Sequence, residues 1–493
     1  MSSTTPTDTD RSTTPPDPTV VAPSQEDLAI AGSTEIIGGD LGRHAYSSWR
    51  FWSPLPIVAI FAVGGFMLGL ISKLPCTVNG WSDPGRYTHL CYTDIAPLYS
   101  LRGFADGVFP YIQNPLPGQE QLEYPVLTGL FMSLANFLNP RGDNATPWFF
   151  YVNAAMLAVC LIVAVVATAA TVKRRPWDAA MVALAPGTIL CATINWDLLA
   201  VALTAVAMLL WARRYPTWAG LVLGLAAAAK FYPLLLLGPL LLLCWRAAKM
   251  SAFARVVGGA AIAWLAVNVP FMVINFDGWA RFYIFSSERG EDFGSIWLFL
   301  RNIGFGVPPE VLNMLATGIL LILCLGIAVL TLKAARRPRF AQLAFLVVAA
   351  FLLTNKVYSP QFVLWLIPLA ALARPRWRDF LIWQAGQTIY FVSIWLYLAG
   401  YGTDAMGLPV GWYSVAIIIQ IGSTIFFGVM IIRDVLRPEH DPVRSDRFLE
   451  DDDDPGGGVL DGARDRWASN SAVTRESSDQ QTPPADQQPV HSH

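Results

Sequence analysis

Asp94 is the acidic residue whose neighbours make it most costly to keep charged. It follows Cys91, Tyr92 and Thr93 and opens the stretch Asp94-Ile95-Ala96-Pro97-Leu98-Tyr99. A carboxylate beside apolar groups can act as general base, taking a proton from an attacking hydroxyl. An Asp ahead of an apolar run is equally a helix N-cap, and the residues alone leave both readings open. Two cations sit at turns between apolar runs and a third in the loop Phe276–Glu310. Lys230 follows Ala226–Ala229 and precedes Phe231, Tyr232 and Pro233; Lys356 lies in Asn355-Lys356-Val357-Tyr358-Ser359-Pro360-Gln361; Arg289 comes shortly before Gly294, Ser295 and Trp297. Such cations suit a lipid phosphate or pyrophosphate, although any one of them also reads as a side chain snorkelling to headgroups. As a set facing the acidic segment, they favour a phosphate site. Base and phosphate-holding cations together would serve displacement of a phosphate leaving group.

The elements that must position these residues are membrane helices. Hydrophobic residues make up 54% of the 493 and charged residues 14%, the composition of an all-α polytopic membrane protein. Twelve spans are expected, at 55–72, 148–172, 179–194, 198–211, 216–230, 233–245, 252–274, 311–332, 340–354, 362–373, 379–400 and 412–433. Arg43 and Arg50, Lys173 to Arg175, Arg213 and Arg214, Arg246 and Lys249, Arg336 to Arg339, Arg374 to Arg378, and Arg433 and Arg437 mark one side. By the positive-inside bias that side is the cytoplasm, and both termini lie there. The count requires that Tyr124–Leu138 does not cross; it is shorter than the ~20 residues a bilayer core needs, so an interfacial or re-entrant helix is expected. Residues 73–147 then form a long first extracytoplasmic loop with interfacial helices. Long loops bearing ionisable groups are often catalytic or binding elements.

Residues 1–50 and 434–493 read as disordered cytoplasmic tails flanking a transmembrane domain at 51–433. Residues 1–40 and 434–493 hold 21 of the 36 acidic residues and only 7 of the 34 basic ones. The Asp451–Asp454 run with Gly456–Gly458 reads as a solvated linker, and the polar N-terminus is not that of a signal peptide. Cys160, Cys191, Cys244 and Cys324 fall in apolar spans as small core residues. Cys76 and Cys91 share the first loop, in an oxidising compartment, where a disulfide is expected and two free thiols are the alternative.

The order Asp94, Tyr99, Gly107, Pro110 and Tyr111, then Tyr124 and Pro125 opening an apolar helix, resembles the first outer loop of GT-C superfamily glycosyltransferases. More narrowly it is similar to the PimE-like family of polyprenyl-phosphate-mannose-dependent mannosyltransferases. Asn195-Trp196-Asp197, Lys230-Phe231-Tyr232-Pro233 and Tyr358-Ser359-Pro360-Gln361 extend the resemblance over most of residues 50–433. It implies a GT-C-like fold with Asp94 as catalytic base. Many superfamily members carry two adjacent acidic residues, and some use a divalent metal. Here Thr93 and Ile95 flank Asp94, and Asp83, the one other candidate carboxylate, reads equally as a turn with Pro84, so no cofactor is expected and a divalent metal, though open, is not indicated.

The expected activity is inverting transfer of a sugar, mannose by resemblance, from a polyprenyl-phosphate donor. The acceptor would be a cell-envelope glycolipid, lipoglycan or protein at the extracytoplasmic face of the plasma membrane. Lys230, Lys356 and Arg289 would hold the donor phosphate, and Tyr92, Tyr99, Tyr124, Trp297 and Tyr358 would contact the sugars. The partners are then donor, acceptor and bilayer, with no nucleic acid. A carrier for lipid-linked sugars is the alternative, disfavoured because no internal repeat shows and the ionisable residues gather at one face. A membrane scaffold with a recruiting acidic tail is the third reading.

Overall fold

The structure is a computed structural model that describes residues 20–21, 27–42, 53–400, 407–444 and 453–466. The described residues form helices and turns, with no strand among them. Fifteen helices are labelled here: α1 (Pro54–Ile71), α2 (Ile95–Leu101), α3 (Val126–Leu138), α4 (Ala145–Thr171), α5 (Asp197–Ala212), α6 (Pro216–Ala229), α7 (Leu237–Arg246), α8 (Met250–Ile274), α9 (Phe276–Glu288), α10 (Ile296–Asn302), α11 (Pro309–Lys333), α12 (Phe340–Thr354), α13 (Val363–Ala373), α14 (Trp377–Ala399) and α15 (Val410–Leu436).

Among the described residues five helices, α1, α4, α8, α11 and α15, are long and apolar enough to cross a membrane. At 1.5 Å per residue the 25 residues of α11 reach ~37 Å, beyond the ~30 Å hydrocarbon core. The chain is a multi-pass membrane protein. Helix α11 turns almost its whole surface outward, with only Leu312 and Thr331 buried, whereas every residue of α13 is buried. Helices α6 and α8 meet backbone to backbone. A methyl group on Gly220 or Gly224 would lie 2.2 Å from the carbonyl oxygens of Val256 and Ala260 respectively. Small residues at such crossings let two helices approach closely.

Several expected spans are short helices. Helices α5, α6, α7, α12 and α13 are too short to cross alone, and the chain leaves helical geometry at Lys230 and Asn355, both extended. Irregular backbone at this depth is tolerated where it lines a cavity, and both breaks do so. The expected span 179–194 is not one helix. Pro186 has no N–H to continue the ladder and holds Ala185 extended, so the stretch splits into Ala180–Leu184 and Pro186–Cys191. Helix α3 has 13 residues, about 20 Å, too short to cross the core.

In the first loop, Cys76 and Cys91 are joined by a disulfide. The Tyr111 hydroxyl donates to the carbonyls of Tyr124 and Pro125, at 2.9 and 3.0 Å. Its ring fills the space a side chain at Gly129 would need. The start of α3 is thereby pinned to the loop.

Both tails depart from the expected disorder where they are described. Residues 438–444 and 453–466 pack over the arginine-rich end of the bundle. Asp441 takes a bidentate bond from Arg339 at 2.7 and 2.9 Å, and Asp465 takes one from Arg246 at 2.7 and 2.6 Å. Asp453 pairs with Arg337, and Asp454 accepts the Phe340 N–H at 3.0 Å. Val443 and Leu460 are buried beneath. Composition reads this segment as solvated because the arginines that answer Asp441, Asp453 and Asp465 most closely lie far back in the chain, at the end of α7 and just ahead of α12. At the other terminus, Asp27 caps the Trp377 N–H at 2.8 Å. Residues 1–19 and 467–493 lie outside the described residues.

Candidate active site

At the end of the bundle away from the docked tail lies a cavity of about 520 Å³, within the ~300–1,000 Å³ usual for small-molecule sites. Asp94, Lys230, Arg289 and Lys356 all line it, as do Tyr92 and Tyr124. Four separate chain segments thus bring together the groups that the sequence singles out.

Asp94 is set by its neighbours on both sides. Its own N–H donates to the Ile194 carbonyl at 2.7 Å, and the buried Thr93 hydroxyl donates to the Thr193 carbonyl at 2.7 Å. These two bonds fasten the start of α2 to the turn before α5. Although Asp94 stands at the N-cap position of α2, its side chain makes no capping bond. Its Oδ1 instead accepts the Tyr92 hydroxyl at 2.7 Å. Burial pushes the carboxyl up to about 6, against the opposing pull of the Tyr92 hydrogen bond and the Lys230 charge. The neighbouring charge holds the Tyr92 phenol protonated, so it remains a donor. A carboxylate near 6 is poised for proton transfer at neutral pH.

Tyr92 is held by ring contacts. Trp395 stacks on it at 4.4 Å and Tyr87 lies near-parallel at 5.8 Å. Beneath this segment the buried Lys73 donates to the Tyr92 carbonyl at 2.8 Å. Burial pushes the Lys73 ammonium down to about 8. Lys73 follows an apolar run, where the sequence gives it no distinction from an interfacial lysine.

The three cations differ in what they already hold. Lys230 lies 2.7 Å from a fully buried Asp197, with its ammonium 5.1 Å from the Tyr124 ring centroid. Cation and ring attract. Arg289 pairs with Asp292 through two nitrogens and keeps 37% of its side chain exposed, enough to meet a ligand. Lys356 is spent. Its three ammonium protons face the carbonyls of Ser286 and Ser287, each at 3.2 Å, and of Arg289, at the C-terminus of α9, where carbonyls lack intrahelical partners. It caps α9 rather than presenting a free cation, and burial lowers its ammonium from the usual lysine range.

Three expected sugar contacts do not reach the cavity. Tyr99 is buried against Phe149 at 4.7 Å. Trp297 is buried and donates to the Thr354 carbonyl at 2.9 Å. Tyr358 is buried with its hydroxyl on Gln387 at 2.7 Å. All three are packing residues, and the polar tips of Trp297 and Tyr358 are satisfied within the protein. Asp83 pairs with Arg86 at 2.6 Å in an exposed turn, away from the cavity.

Other lining residues are not among the expected site residues. Glu123 takes both its bonds from Arg102, at 2.6 and 2.8 Å. Asn195 accepts the Asp197 N–H at 3.0 Å. Phe282 and Phe285 of α9 complete one wall. The described residues hold no cluster of three or more His, Cys, Asp or Glu side chains that could bind a metal ion.

Residues 122–355 match the model of glycosyltransferase family 87, just under half of the chain. Among solved structures, ArnT from Cupriavidus metallidurans bound to undecaprenyl phosphate shares 16% identity, with 77% of each chain covered and a TM-score of 0.41. The apo form of that protein shares 14%, with the same coverage and TM-score. Superposition at this level fixes no side-chain correspondence. None of the curated proteins matches the chain. The matched stretch includes Glu123, Asn195, Asp197, Lys230 and Arg289 and leaves out Asp94; over these residues the chain is similar to glycosyltransferase family 87.

Proposed function

We propose that this chain is a multi-pass, GT-C-like glycosyltransferase that moves a sugar from a polyprenyl-phosphate donor to an acceptor hydroxyl. The observation that carries the reading is one cavity lined by Asp94, raised towards neutrality, and by Lys230 and Arg289. The match to a glycosyltransferase family over residues 122–355 supports it.

The chemistry is a single displacement. The acceptor oxygen attacks the anomeric carbon while the bond from that carbon to the phosphate oxygen breaks, with inversion. Asp94 takes the acceptor proton through Oδ2, since Tyr92 holds Oδ1. The electron pair leaves on the phosphate. A phosphodiester monoanion therefore becomes a monoester dianion, as Asp94 loses its charge to the proton. One negative charge has moved across the cavity towards the cations, where Lys230 and Arg289 stabilise it. Tyr92 and Tyr124 sit where the sugars pass. Lys356 positions α9 and Arg289 and does not contact phosphate.

In this reading the cavity end faces the extracytoplasmic side and the arginine-rich end faces the cytoplasm. Mannose is the sugar that the resemblance favours, and a cell-envelope glycolipid, lipoglycan or protein is the acceptor. The test is transfer by the purified chain in lipid nanodiscs, supplied in turn with polyprenyl-phosphate mannose, glucose and arabinofuranose and with envelope glycolipid acceptors. Transfer from one donor, lost on Asp94→Asn, is the expected result. No transfer from any of them would favour a carrier for lipid-linked sugars.

A further inference from the structure

Every cation lining the cavity is already matched. Lys230 is paired with Asp197 and Arg289 with Asp292, and Lys356 is bound to helix carbonyls. Asp94 and Glu123 add negative charge, and Arg102 offsets Glu123. With all of them ionised, these eight groups cancel. A site built only to trap phosphate would leave its cations unpaired and pointing inward.

Asp197 is the most committed of the counter-charges. It is the first residue of α5 and is fully buried. Its backbone is fixed by Asn195, and the turn just before it is also the one that holds Thr93 and Asp94. A buried carboxylate loses its hydration and depends on its partner cation. It therefore pulls on the Lys230 ammonium wherever that ammonium turns. A phosphate in the cavity must share Lys230 with Asp197.

Resting on the reading above, we propose that Asp197 is a release residue, which limits how tightly the leaving polyprenyl phosphate is held by competing for the Lys230 ammonium. The competition matters most after transfer. The donor carries one phosphate charge and the product two, so an unopposed lysine would bind product better than donor and stall turnover. With Asp197 fixed beside it, Lys230 leans towards phosphate as the charge develops and returns to the carboxylate as product departs. No covalent change is required of Asp197. It acts through Lys230 as a positioning residue.

The test uses the full chain in nanodiscs at mildly alkaline pH, where a phosphate monoester is a dianion, with farnesyl phosphate as the product-like probe and farnesol as the uncharged control. Asp197→Asn keeps the side-chain shape and removes the competing charge. Farnesyl phosphate should then bind about tenfold tighter or more, a difference of ~1.4 kcal/mol or greater, while farnesol binding stays unchanged. Steady-state transfer should show a lower kcat with a lower donor KM. A carboxylate that merely braced the fold would give weaker binding instead, so unchanged or weaker binding of farnesyl phosphate to a folded Asp197→Asn overturns the proposal. Asp197→Glu retains the charge and should keep wild-type affinity; tightening there would also overturn it. Should Asp197→Asn fail to fold, Asp197→Asn with Lys230→Met removes both charges together and is compared with Lys230→Met alone. With no ammonium left to compete for, the added Asn should leave farnesyl phosphate affinity as it is in Lys230→Met, and a roughly tenfold tightening there would show direct repulsion by Asp197 and overturn the proposal. The underlying site is judged separately by Lys230→Met in the otherwise natural chain. If it binds farnesyl phosphate as tightly as wild type does, the phosphate does not sit at Lys230 and the proposed donor site is wrong.

Discussion

Replacing Tyr92 with Phe removes a single oxygen and leaves the ring on Trp395. The lost hydroxyl donates to Asp94 Oδ1 at 2.7 Å, a bond that favours the charged carboxylate. Its removal therefore raises the Asp94 pKa from about 6. Hydrogen bonds to charged groups are worth ~1.5–3 kcal/mol, and 1.36 kcal/mol is one pKa unit, so the rise is roughly one to two units. Asp94 must be deprotonated to act as base, so the acidic limb of kcat/KM should move from near 6 to roughly 7–8. At pH 7 the deprotonated fraction falls from about 0.9 to between about 0.1 and 0.5, costing roughly two- to tenfold in rate, and activity returns at higher pH. The assay is the pH profile of kcat/KM for wild type and Tyr92→Phe. A limb that stays in place, or moves to lower pH, would refute both the proton-accepting role and the polarity of this hydrogen bond.

Ending the chain after Arg437 should lower thermal stability in detergent, because Arg246, Arg337 and Arg339 lose their carboxylates. Each uncompensated buried charge costs on the order of 3–5 kcal/mol, reduced where water reaches the uncovered guanidinium; an unchanged Tm would mean that the docked segment contributes nothing. Lys356→Met should free the last carbonyls of α9 and speed amide exchange there in hydrogen-exchange mass spectrometry. Transfer should fall only a few-fold, and loss of donor binding on the scale of Lys230→Ala would restore Lys356 as a phosphate ligand. A reporter active only outside the cytoplasm should work when inserted after Asp143 and be silent after Arg214; cytoplasmic behaviour at Asp143 would reverse the proposed orientation.

The charged members of the site were legible because charge in apolar sequence is expensive and therefore conspicuous. Asp94 and Lys230 stand out that way and Arg289 as a cation in an outer loop, and the cavity brings them together. Lys356 stood out for the same reason, yet composition cannot show that three helix-end carbonyls already hold its ammonium. Aromatic residues were not legible. Tyr92 and Tyr99 lie seven residues apart in the same loop, but one faces the cavity and the other is buried against Phe149. That choice depends on how α2 docks, which no local pattern records. Glu123 and Asp197 have partners supplied from distant segments, at Arg102 and Lys230. The docked tail was missed for the same reason, since its aspartates answer arginines far back in the chain. The break within 179–194 is open to local reading, because Pro186 interrupts an apolar run that hydrophobicity alone would join.

Whether Asp94 accepts the acceptor's proton is decided by Asp94→Asn. The amide keeps the size of the side chain and can still accept from Tyr92, but it cannot take up a proton at neutral pH. Wild type and variant, purified in nanodiscs, are compared for farnesyl phosphate binding and for transfer from the donor that wild type uses. Binding should remain within a few-fold of wild type while transfer falls by roughly 10²–10⁴-fold. Transfer by Asp94→Asn at a rate close to that of wild type would contradict the account and remove Asp94 from the chemistry.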